Sequence, residues 1–176
     1  MDFITPEELE KFTDKITTEE DAAEVKRFCD AAMEAVRDYL GYDPTAQDYS
    51  QLIKGNDSHL AIMKAMPINT IDAFFIDGAE ASADALEVQS DNYICFIDNS
   101  IFLTGHRYVI EFNAGFTNVP DIIKTTALQI ASLLWESAGG NLAVNSTSFA
   151  DTGSRVFNNF KIDRFLTQIA KYKRTF

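Results

Sequence analysis

Two histidines, two cysteines and a scatter of aspartates are the side chains of this sequence whose types could support chemistry. His59 and His106 each stand at the edge of an alternating segment, with no second His, Cys or acid at a metal-ligand interval, so surface or edge histidines are expected and no metal. Cys29 and Cys95 are 66 positions apart, without metal-site spacing and outside any small disulfide-rich context, and both are expected to be reduced, buried thiols. A nucleophile built from Cys95 and His106 would need an activated thiolate, but the alternation of YICFID gives no sign of activation and points to a core cysteine. Asp72, Asp77, Asp84, Asp91 and Asp98 are the remaining option, as paired carboxylates for acid and base work. Most of them fall at strand ends and turns, where aspartate is ordinary turn chemistry. G-x-S-x-G, G-x-G-x-x-G and the Walker G-x-x-x-x-G-K are absent, and Gly139-Gly140 follows a helical pattern instead of opening one, so no phosphate cradle or cofactor is expected. No reaction can be written from these residues, and the chain is expected not to be an enzyme; catalysis by Asp72, Asp77 or Asp98 stays as an alternative.

The elements that would position such residues follow from composition and periodicity. At 176 residues, 46% hydrophobic and with 14 Phe, the chain can bury a real core and suits a single domain over 1–176. The 27 acids against 15 bases, net charge -12, argue against a protein that grips phosphate backbones through a basic surface. Neither a signal-peptide pattern nor an apolar run of bilayer length is visible, so a soluble chain, intracellular when made, is expected. Charge is segregated: residues 1–30 hold ten acids against four bases, and residues 155–176 hold six bases against Asp163. That is -6 against +5, readable as solvated helix faces, as a head-to-tail contact between copies, or as a basic tail for an acidic partner.

Thr5-Pro6-Glu7-Glu8 predicts a short helix over 6–14, with a cap, a proline in the first turn and acids at the positive end of the dipole. After Thr18, spaced from Asp21 as in a capping box, Ala22, Val25, Phe28, Ala32, Val36 and Leu40 mark an amphipathic helix that Gly41 stops. Residues 41–58 read as loop or short irregular structure, with room for a brief strand. Period-two patterning then predicts short strands in HLAIMKAM, INTIDAFFID, LEVQ, YICFID and RYVIEF. A third helix, after Pro120, carries Ile123, Ala127, Ile130 and Leu134, and Ile122, Thr126 and Leu133 widen the stripe enough to imply cover on more than one side. Residues 141–154, nearly uncharged and rich in Ser, Thr and Asn, read as a long loop, and a closing helix is expected over 159–172.

The order of these elements, with DYLGYD ending the N-terminal helix and IAKYKRTF the last, resembles the head-tail connector proteins of tailed bacteriophages, also called head-completion or adaptor proteins. The resemblance rests chiefly on residues 108–136, where Phe112, Ala114, Gly115, Phe116, Val119 and Pro120 match a pattern like Y-x-A-G-[FY]-x-x-[LV]-P ahead of an Ala- and Leu-striped helix. Pro67-Ile68, leading to a strand that Gly78 closes, is the second match, and together the matches span most of residues 18–174. Independently of the family, Gly115 permits a positive φ, Pro120 sets a first helical turn, and Phe112 and Phe116 suit a seam between strand and helix.

The resemblance implies an α+β fold with a mainly α-helical core, a small antiparallel β-sheet or hairpin insertion over 59–114, and a basic tail over 171–176. It also implies a structural, non-catalytic virion protein at the head-tail neck, made and assembled in the host cytoplasm. Its partners would be further copies of itself in a ring, usually of twelve, the portal protein, and a downstream neck or tail protein. Genomic duplex DNA would pass through the channel without sequence-specific binding, and no membrane is involved. Arg155, Arg164, Lys171, Lys173, Arg174 and Phe176 are the expected portal-facing residues, and Phe112, Gly115, Phe116 and Pro120 the structural junction. An intracellular small-ligand-binding or regulatory domain without catalysis is the alternative.

Overall fold

The computed structural model describes residues 2–14, 21–138 and 159–174. The chain divides into two compact units, Met1–Tyr39 with Pro120–Lys173, and Leu40–Val119 with Arg174–Phe176. The Thr18 cap and the 141–154 loop lie outside the described residues.

The first unit is helical. Helix α1, Pro6–Thr13, starts with a complete capping box, in which Thr5 accepts from the Glu8 N–H and the Glu8 carboxylate accepts from the Thr5 N–H. Helices α2 (Ala22–Leu40) and α3 (Asp121–Ala138) turn Val25, Cys29, Met33 and Val36, and Ile123, Ala127 and Ile130, into the core. Helix α4, Asn159–Thr167, packs on α3, and a 3-10 turn over Ala170–Tyr172 ends the expected closing helix early. Helix α3 is covered on more than one side, as its wide stripe implies: it packs against both α1 and α4, and of residues 121–137 only Asp121, Ile122 and Glu136 are exposed, while Leu133, Leu134 and Trp135 are half-buried.

The second unit is built of strands. Strands β1 (Gln47–Lys54), β3 (Ile68–Ile76), β4 (Ala79–Ala81) and β7 (Arg107–Ala114) make one antiparallel sheet in the order β1-β7-β3-β4. Strands β2 (Leu60–Ile62), β5 (Leu86–Ser90) and β6 (Tyr93–Phe96) make a second, ordered β2-β6-β5. Phe74 and Tyr108 of the first sheet meet Phe96 of the second and Phe102 at ring-centroid distances of 4.7–6.4 Å, a packed aromatic core. Asp77-Gly78 joins β3 to β4 with φ of 51° and 86°, both positive, as a type I′ hairpin requires.

These strands overturn the expected fold class. Seven strands in two antiparallel sheets build a whole compact unit, and a mainly α-helical core with a small hairpin insertion does not fit the chain. The largest miss is β1, inside the segment read as loop. QDYSQLIK is mostly polar because β1 is an edge strand, with only Tyr49, Gln51 and Ile53 half-buried on one face while Leu52 and the rest point outward. Conversely, HLAIMKAM forms a strand only over Leu60–Ile62.

Gly115 shows how tightly the end of β7 is held. Its φ is +108°, its N–H donates to the Pro67 carbonyl at 2.9 Å, and a Cβ there would sit 2.3 Å from the Thr45 carbonyl oxygen. Gly115→Ala therefore combines backbone strain with a backbone clash and is expected to lower unfolding free energy by about 3 kcal/mol. Urea denaturation measures this, and an unchanged midpoint would contradict the geometry.

Candidate interaction surface

The residues suited to chemistry are dispersed and quenched. Burial, then the neighbouring Asp30 charge, pushes the Cys29 thiol up to about 11. Burial, then the hydrogen bond to Glu87 at 3.5 Å, raises that of Cys95, so neither is a ready thiolate. His106 faces Asp77, with Nδ1 and Oδ2 2.6 Å apart, and His59 lies 3.0 Å from the Asn99 carbonyl, so the structure pairs neither with Cys95. Among the described residues no group of three or more His, Cys, Asp or Glu could hold a metal.

The carboxylates considered for acid-base work are turn locks. Asp77 accepts the Arg107 N–H at 2.8 Å and faces His106, and the first of these, then the second, holds its pKa below the ordinary carboxylate value. Asp98 is held down by Ser100, whose N–H it accepts at 2.9 Å. Both are thus kept ionised, the wrong state for a general acid. Asp72 accepts from Thr70 at 2.8 Å. Together with Asp48 and Glu111 it lines an open groove on the outer sheet face.

The junction residues sit as follows. Phe112 is fully buried and stacks on Tyr49 at 5.5 Å, and Phe116 donates its N–H to Pro44 at 2.8 Å while its carbonyl accepts from Ala46. In the helical unit, the Pro120 carbonyl accepts from Ile123 and Lys124 and opens α3. Of the residues expected to face the portal, Arg155 and Phe176 lie outside the described residues; Arg164 and Lys171 are exposed, and Lys173 is exposed with its ammonium 4.9 Å from the Tyr39 ring centroid. Arg174 is committed to its own chain, donating its backbone N–H to the Leu40 carbonyl at 3.1 Å and Nη1 to the Lys64 carbonyl at 2.9 Å.

Sequence reading missed two surface features. Between Lys64 and Arg107 the chain has seven acids (Asp72, Asp77, Glu80, Asp84, Glu87, Asp91 and Asp98) and no Lys or Arg, and all seven are exposed. A plain charge count along the chain would have found that. The second needs strand register: on the outer face of the four-stranded sheet Lys54 stands opposite Arg107, and next to them Leu52, Val109 and Phe75 form a cross-strand row.

The sequence model of the head completion protein family matches residues 2–135. The chain belongs to that family. The resemblance read from the junction motif is thereby confirmed, as a family of phage structural proteins. No curated protein matches the chain. Among solved structures, the fold is similar to a chain from the neck of an empty gene transfer agent particle computed with C6 symmetry, with TM-score 0.67, 14% identity, and 99% of this chain and 91% of that chain covered. It is also similar to one from the neck of the native particle computed with C12 symmetry, with TM-score 0.62, 12% identity and 96% and 88% covered. A third, from the virion of the native gene transfer agent particle, gives TM-score 0.64, 14% identity and 99% and 90% covered. At such identities these likenesses concern the fold.

Because the folded pKa of Asp77 is depressed, its contribution to stability is fully present above the unfolded value of about 3.9 and is lost as pH falls through the lower folded value. Asp77→Ala in this head completion protein should lower the melting temperature at pH 7, and the gap to the parent should close as acidification carries the pH below the ordinary carboxylate value and through the lower folded one. A gap independent of pH would remove the carboxylate from the account.

Proposed function

We propose that this head completion protein forms a homo-oligomeric ring, of twelve copies, beneath the portal at the neck of a tailed particle, extending the DNA channel and offering a platform to a downstream neck or tail protein. The observation that carries the reading is the fold likeness, spanning 99% of this chain and 91% of a neck chain. Family membership supports a structural role without catalysis, and the C6 and C12 symmetries of the similar neck structures support a closed ring. The net charge of -12, with seven exposed acids uninterrupted by a base between Lys64 and Arg107, suits a conduit past which duplex DNA slides without sticking.

On this reading the basic C-terminal segment docks on the portal through Arg164, Lys171 and Lys173, with Arg155 and Phe176 in the same segment of sequence. Arg174 contributes differently, through its hydrogen bonds to Leu40 and Lys64 within the strand-rich unit. Deleting 171–176 would remove both effects, so substitutions separate them. Arg164→Glu with Lys171→Glu should cut co-purification with the portal by about tenfold or more while leaving the fold intact. Arg174→Ala keeps the backbone bond to Leu40 but removes the Nη1 bond to the part-buried Lys64 carbonyl, and should lower stability by about 1 kcal/mol. Imaging particles that carry a tagged copy tests the whole reading. A tagged ring at the neck with a portal-sized partner supports it, and a free monomer absent from particles overturns it.

A further inference from the structure

Two surfaces, each contained within one compact unit, are incomplete in the chain and complement each other. The first is the basic end of the outer sheet face. Lys54 and Arg107 are directly opposed across β1 and β7, both exposed, and neither makes an ion pair among the described residues. Like charges in that relation cost stability in an isolated sheet. Beside them the Leu52–Val109–Phe75 row is apolar, and Leu52 is 48% exposed.

The second is a groove of about 570 Å³ between α2 and α3. Phe28, Ala31 and Leu134 line it together with three acids, Glu24, Asp30 and Glu34, against the single base Arg27. Asp30 is already met by Lys26 at 3.1 Å. Glu24 and Glu34 make no ion pair among the described residues.

We propose that these surfaces meet between neighbouring copies, the Lys54–Arg107 end of one sheet seating in the α2–α3 groove of the next; the inference rests on the ring reading above. Cations then face carboxylates and the apolar row covers the apolar floor, the arrangement that gives an interface both register and a desolvated centre. The two surfaces are different, so the contact is heterologous, the type from which rings are generated when the rotation closes. Each copy uses both once. DNA is the less suitable occupant for the cations. Asp48 and Glu111 share the sheet face, about 20 and 13 Å along their strands from Lys54 and Arg107. That is beyond the screening length that protects a compact contact, but within the path of a continuous phosphate backbone.

The test is a charge swap on the full chain, with folding checked by circular dichroism and ring assembly read by sedimentation and electron microscopy, with and without portal. Lys54→Glu with Arg107→Glu, and separately Glu24→Lys with Glu34→Lys, should each lower the assembled fraction by about tenfold or more, each tenfold being about 1.4 kcal/mol. All four substitutions together should restore it. A folded double variant that assembles like the parent overturns the inference, and so does failure of the fourfold variant to recover. Intact rings with altered DNA release would assign the cations to phosphate and overturn it too. If the parent chain itself never forms a ring, the ring reading fails first and this contact falls with it, an outcome distinct from the others.

Discussion

The pairing of β7 on both edges is the constraint on which the strand-rich unit depends. Gln47–Lys54 lies in unbroken register along one edge and Ile68–Ile76, with two register shifts, along the other. Because β7 is central, its alternate residues Tyr108, Ile110, Phe112 and Ala114 are buried on one face, where each contributes about 1–3 kcal/mol of burial according to size. A one-residue slip would turn that set outward, so the register is strongly specified. Gly115 ends the strand where the backbone of Thr45 comes too close for any side chain, and the neighbouring amides of Gly115 and Phe116 are taken up by Pro67 and Pro44.

From that register follows the division of labour between the two sheet faces. The inner face supplies Phe74 and Tyr108 to the aromatic cluster that joins both sheets through Phe96 and Phe102. The outer face sorts what remains into a basic end, an apolar row and an acidic end. A family whose work is assembly has no need of perturbed, poised ionisable groups, and here the shifted Asp77 and Asp98 are fastened in turns and the shifted Cys29 is a buried thiol. Function on this reading resides in surfaces. The half-covered ends of α3, the groove beside α2 and the outer sheet face are the places where the fold of one chain leaves apolar area unfinished.

Much of this was legible in one dimension, and the reasons differ by element. Thr5-Pro6-Glu7-Glu8 specified a helix start because capping is local chemistry, and β3, β5, β6 and β7 announced themselves by alternation. The positive φ of Gly115 and the helix start at Pro120 were readable because each acts through its own backbone. Strand β1 was not readable, since an edge strand with one half-buried face keeps a polar composition that resembles a loop. Missing it turned a sheet into an insertion and misjudged the balance of helix and strand. The Asp77-Gly78 pair did carry a hairpin signal, in the residue types that a type I′ turn demands.

By itself the sequence determined the helices with local caps, the alternating strands, the acidic character and the absence of any catalytic motif, all properties carried by neighbours along the chain. Only the tertiary structure decided that there are two sheets, that β1 completes the larger one, that Arg174 is spent on Leu40 and Lys64, and that Lys54 faces Arg107 beside an exposed apolar row. Those are pairings between residues far apart in the chain. They are selected by which edges and faces can be satisfied together, and no local pattern records that choice.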